Sequence, residues 1–101
     1  LIVVDGAARA ACCAMAPDKL RPGGLIVLDN AERHPSAAAG LRAAGFLQVD
    51  MAGFGPVNGY AWVTSLFFDR TFDWPARASG RPTLCVGGIT HPDAICRPAS
   101  A

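Results

Sequence analysis

The sequence is short of charge. Only 17% of its 101 residues are Asp, Glu, Lys or Arg, and the formal net charge is +1. A balance so close to neutral gives no basis for a nucleic-acid partner or an anionic membrane. Long apolar runs are missing as well: none approaches the roughly 18 residues of a membrane span. The first residues show neither a charged n-region nor a cleavage site, so no signal peptide is expected. The four cysteines, Cys12, Cys13, Cys85 and Cys96, lack the spacing of a zinc knuckle, and the adjacent Cys12-Cys13 pair suits no easy disulfide. They are expected to be reduced thiols in or near a core, and hence to mark a cytoplasmic protein. There is no internal repeat and no low-complexity segment.

What is present is apolar: 51% of the residues are hydrophobic, enough for one small globular domain. Leu25-Ile26-Val27-Leu28 reads as a strand buried on both faces, as in a parallel sheet, and Asp29-Asn30 follows at its carboxyl end. Leu1–Val4 repeats the design and ends in Asp5-Gly6. Between them, Ala7–Ala16 is rich in helix formers, with Ala8, Ala11, Cys12 and Met15 spaced to form one packing face. Pro17 is expected to break or bend this helix, and Arg21-Pro22-Gly23-Gly24 to turn the chain into the second strand. The result is a β-α-β unit with a parallel strand pair. Ligands of open α/β sheets bind outside the carboxyl ends of such strands, which makes Asp5, Asp29 and Asn30 the first candidates for a site. Arg9, near the helix start and off the apolar stripe, is expected to stay beside that end.

Asp29–Pro35 is a polar loop containing Asp29, Glu32, Arg33 and His34. Ser36 is a candidate N-cap for a helix over Ala37–Ala44, with Gly45 as its C′ residue. Phe46–Met51 alternates, with Leu47, Val49 and Met51 on one side and Gln48 and Asp50 on the other, as in a strand near a sheet edge. Gly53–Gly59 is dense in turn residues, and Tyr60–Phe68 is an aromatic and β-branched strand long enough to be central. The short connection makes these two strands an antiparallel hairpin. From Arg70 to Ala101 no period is visible apart from a short strand at Leu84-Cys85-Val86, and a loosely attached tail is expected. An apolar strand at Leu1–Val4 needs neighbours, so the chain is expected to be the later part of a longer α/β domain, or to pair that edge with a partner chain.

These segments resemble the second half of a class I S-adenosylmethionine-dependent methyltransferase. The motifs that carry the resemblance are Leu1–Gly6, Arg9, Leu20–Asn30 (Leu-Arg-Pro-Gly-Gly-Leu-Ile-Val-Leu-Asp-Asn), Ala44-Gly45-Phe46, and Gly55-Pro56 through Tyr60 to Thr64–Phe68. The resemblance implies a Rossmann-like α/β sheet, partial here, in which residues 1–69 supply strands four to seven and the last two form an antiparallel hairpin. It further implies methyl transfer from S-adenosylmethionine to an oxygen or nitrogen of a small-molecule acceptor. The glycine-rich loop that holds the cofactor, and the acid that binds its ribose, belong to the amino-terminal half and have no counterpart here. The cofactor-binding residues are therefore unassigned, and the chain is expected to be inactive alone. The rival reading is a non-catalytic remnant or interaction module.

One branch of the family, the catechol-type O-methyltransferases, holds a divalent ion with an Asp after the fourth strand and an Asp-Asn pair after the fifth. The resemblance places Asp5, Asp29 and Asn30 at the matching positions. Two carboxylates and an amide oxygen are hard ligands suited to Mg²⁺, and adjacent strand ends lie about 5 Å apart, within reach of one ion. The same residues serve equally as substrate contacts or helix caps. Without a metal, His34 is the candidate general base, with Asp5 and Asp29 also candidates for catalysis. Arg9, Asn30 and Arg33 are candidate substrate-binding residues.

Overall fold

The computed structural model describes residues 1–54, 59–73 and 86–87. Its elements are β1 (Ile2–Val4), α1 (Arg9–Lys19), β2 (Leu25–Leu28), a 3-10 turn (Ala31–Arg33), α2 (Pro35–Ala43), β3 (Leu47–Phe54) and β4 (Ala61–Phe68). The strands form one mixed sheet in the order β1-β2-β4-β3. β1 and β2 are parallel, with Val4 opposite Leu28, while β4 runs antiparallel to both β2 and β3. The described residues thus form a small α/β fold with a four-stranded mixed sheet and two helices. β4 is central and β3 lies at an edge, as the sequence suggests.

Both helices pack on one face of the sheet. The core joins Cys13 and Ala16 of α1 and Ala38 and Leu41 of α2 to Val4, Ile26, Leu28 and Phe67. Ile26, Leu28 and Phe67 are completely buried. On the opposite face Leu25 and Val27 are only half-buried, and Val3 is 59% exposed. The expectation of burial on both faces therefore fails: among the described residues, α1 and α2 cover the same side.

α1 also departs from its expected packing. Ala11, Cys12 and Met15 are exposed, and Cys13 and Ala16 are buried instead. An alanine-rich helix has no polar face to mark its buried one, so the apolar stripe can be drawn one residue out of register. Nor does Pro17 end the helix, which runs to Lys19, with the Leu20 amide donating to the Ala16 carbonyl. The proline sits in the last turn, where little helix remains to be disrupted.

α2 starts with Pro35 at its first position, where the missing N–H costs nothing, so Ser36 is not the cap. It ends in a Schellman arrangement. Gly45, at φ +98°, donates to the Arg42 carbonyl, and Phe46 donates to that of Leu41. The Arg21–Gly24 turn has Pro22 followed by Gly23 at φ +78°, as a type II turn requires.

Asp69 fastens this turn to the end of β4. Its carboxylate accepts from the Gly23 amide at 2.7 Å and from both the amide and hydroxyl of Thr71. Arg70 donates to the Gly45 carbonyl, and Phe72 packs on Phe68 with ring centroids 5.0 Å apart. Arg70–Phe72 therefore belong to the folded part. Residues 74–85 and 88–101 of the expected tail, with Trp74, Leu84, Cys85, His91 and Cys96, lie outside the described residues, as do residues 55–58. No helix among the described residues is long and apolar enough to cross a membrane.

Candidate functional site

The parallel pair brings Asp5, Asp29 and Asn30 together at one end of the sheet. The Asp29 amide donates to the Val4 carbonyl at 3.1 Å, extending the β1–β2 ladder one step past Leu28. Alternation then turns the Asp29 side chain to the face away from the helices, where its Oδ1 accepts from Thr64 Oγ1 of β4 at 2.8 Å. Asn30 reverses the chain in the left-handed region, at φ 51°, a conformation its short polar side chain tolerates. Its amide is buried, at 5% exposure.

Arg9 organises this end. Its guanidinium donates to four oxygens: Nε to the Gly6 carbonyl at 3.0 Å, Nη1 to the Asp29 carbonyl at 2.8 Å and Asn30 Oδ1 at 3.1 Å, and Nη2 to Asp5 Oδ1 at 3.0 Å. The first turn of α1 follows directly on β1, so a long side chain at position 9 spans both strand ends. The Arg9 side chain is 15% exposed and that of Asp5 57%.

The other loop residues go elsewhere. Glu32 Oε2 accepts from the Val63 amide at 3.0 Å. That amide lies beyond the stretch of β4 that β2 covers, so the carboxylate continues the place of the missing strand. Arg33 lies over the Trp62 ring, 5.2 Å from its centroid. His34 links the 3-10 turn to α2 through its backbone, and among the described residues its imidazole has no hydrogen-bond or ion-pair partner. Arg33 and His34 are thus not drawn to Asp5 and Asp29, whereas Arg9 and Asn30 are.

A second polar cluster escaped sequence reasoning. Ser65, completely buried, donates to Asp50 Oδ1 at 2.6 Å, and Gln48 Nε2 donates to the same oxygen at 2.7 Å. Arg42 donates to Gln48 Oε1. The bonds from Ser65 and Gln48, with Arg42 nearby, hold the Asp50 carboxyl below its ordinary range. These side chains, with Glu32, line a cleft of about 230 Å³ between α2 and the hairpin. The available signal was Thr64-Ser65, a polar pair inside a strand that otherwise reads as core. Another groove, of about 260 Å³, runs between α1 and α2 along Cys13, Pro17, Ala37 and Gly40. Burial, and then the neighbouring Cys12, push the Cys13 thiol up. Asp5, Arg9, Asp29 and Asn30 line neither cleft.

Among the described residues no group of three or more His, Cys, Asp or Glu side chains is arranged to hold a metal ion. No known family profile matches the chain, and no curated protein or solved structure is significantly similar to it.

Proposed function

We propose that this chain is the carboxyl-terminal half of a Rossmann-like S-adenosylmethionine-dependent methyltransferase that acts on an oxygen or nitrogen of a small molecule. The observation that supports this reading most is the run of strands: a parallel pair, each member ending in Asp, then a helix and an antiparallel hairpin. That is the order the sequence resemblance implies. S-adenosylmethionine, when bound, would supply a methyl group from its sulfonium to a lone pair of the acceptor, and the proton the acceptor gives up would leave by way of the Asp29 carboxylate. Asp29 suits the acceptor side. Thr64 engages its Oδ1, and Oδ2, which accepts no hydrogen bond among the described residues, would take the acceptor's. Arg9 and Asn30 position that carboxylate through the backbone of β2.

The coding sequence upstream of Leu1 tests the proposal first. The expected finding is a strand, a Gly-x-Gly turn, a helix and an acidic residue roughly 20 residues further on. The full-length protein should then bind radiolabelled S-adenosylmethionine in equilibrium dialysis, and Asp29→Asn should abolish label transfer while sparing cofactor binding. A reading frame with no such region, and no cofactor binding, removes the proposal.

One observation favours a second reading, an interaction module that completes its sheet with a partner chain. Among the described residues β1 lies at an edge of the sheet, and Val3 on it and Leu1 just before it are exposed. Size-exclusion chromatography of the pure protein separates the two, because a well-folded monomer that associates with nothing counts against the module.

A further inference from the structure

We infer that Arg9 is itself the cation of the strand-end site, and that this chain holds Asp5, Asp29 and Asn30 together without a divalent ion. The expectation of a metal comes from the methyltransferase reading; the inference contradicts that part of it and rests on this chain's own bonds. An ion bound by Asp5 and Asn30 would draw on their side-chain oxygens. Arg9 Nη2 and Nη1 already lie 3.0 Å and 3.1 Å from Asp5 Oδ1 and Asn30 Oδ1. Ion–oxygen distances are about 2.0–2.6 Å for Mg²⁺ and Ca²⁺, so such an ion would press against a guanidinium that does not deprotonate. Moving Arg9 aside would strip donors from the Gly6 and Asp29 carbonyls as well.

The orientation of Asn30 supports the same conclusion. Its Nδ2 faces Glu32 Oε1 at 3.5 Å, which leaves Oδ1 turned to Arg9. The third candidate ligand is drawn away too, since Asp29 Oδ1 accepts from Thr64 on the face of the sheet. One guanidinium thus does what the ion would do: it neutralises a carboxylate and ties the end of β1 to the end of β2. It does so with four hydrogen bonds from one planar group, a geometry that suits oxygens from two strand ends.

Mn²⁺ is the probe, followed by its electron paramagnetic resonance signal. The wild-type protein is expected to leave the free-ion signal unchanged at millimolar Mn²⁺, and to melt at the same temperature in Mg²⁺ as in EDTA. One Mn²⁺ bound per chain, and lost in Asp29→Asn, overturns the inference. Arg9→Gln removes the cation and is expected to bind Mn²⁺ at least about tenfold more tightly than wild type. A folded Arg9→Gln protein with no gain overturns the assignment of Arg9 as the occupant. Should Arg9→Gln not fold, Arg9→Lys keeps the positive charge and is expected to bind no Mn²⁺; binding by that variant overturns the assignment. Ion binding is read directly, so loss of the methyl-transfer reading leaves this result standing, and the reverse also holds.

Discussion

The two faces of the sheet share four strands and differ in almost everything else. The face under α1 and α2 holds Ile26, Leu28 and Phe67 with no exposure at all, yet it also carries Gln48, Asp50 and Ser65. The other face is nearly all apolar, with Val3, Leu25, Val27, Leu66, Val49 and Met51, and among the described residues it is the open one: Val3 is 59% exposed and Met51 61%. An antiparallel hairpin usually turns its polar residues to water and its apolar ones to the core. In β3 that rule runs backwards. The polar residues go to the helix side because Arg42 at the end of α2 and buried Ser65 bond them there. Alternation says which residues share a face; it does not say which face is covered.

The largest expected effect tests the covered face. Phe67→Ala removes a fully buried ring from between the sheet and the helices, and should lower stability by about 3–5 kcal/mol, measured by urea denaturation. Arg9→Gln comes next, at about 2 kcal/mol, because it takes charge-assisted bonds from oxygens at both strand ends. A loss below about half a kcal/mol would mean that water replaces the guanidinium without cost and that the strand ends are not held by it.

Much of the hairpin was legible in the sequence. A long run of β-branched and aromatic residues marked β4, and Gly45 marked the end of α2, because strand propensity and a left-handed C′ residue leave strong local signatures. Arg9 was legible as a neighbour of the strand ends, since helix geometry fixes where position 9 falls after a strand ending at Val4. The buried face of α1 was not, because alanine tells little about which side faces inward. The partners of Thr64 and Glu32, and the Gln48–Asp50–Ser65 cluster, were not legible for a different reason. The Val63–Glu32, Thr64–Asp29 and Ser65–Asp50 bonds join residues at least 15 apart in sequence, and no local pattern encodes a partner that only the sheet order brings near.

A smaller effect should appear on acidification. Asp69 sits below its ordinary carboxyl range, chiefly through the Gly23 amide and then through Thr71, and Asp50 does so through Ser65 and Gln48. Depressed values mean that the folded state favours the ionised forms. The stabilisation is fully present above the unfolded carboxyl range, near 3.8, and is lost as pH falls through the lower folded values. The difference in stability between wild type and Asp69→Asn should therefore be largest near neutrality and shrink toward pH 3. A constant difference across that range would show that the turn is held by geometry and not by charge.

The smallest effect is expected on the open face and sharpens the contrast most. Met51→Ser and Val49→Thr alter exposed side chains of β3, and each should change stability by no more than about 0.5 kcal/mol. Were the same face covered in the folded protein, removing either side chain would forfeit about 1.5–3 kcal/mol of burial. The two cases differ enough for urea denaturation to separate them. Repeating the measurement at two protein concentrations adds the cause: a penalty that grows with concentration requires a second copy on the face, and one that does not requires cover from within the same chain. A penalty near zero at both leaves one sheet with a sealed face and an open one, and assigns the stability of the fold to the helix side alone.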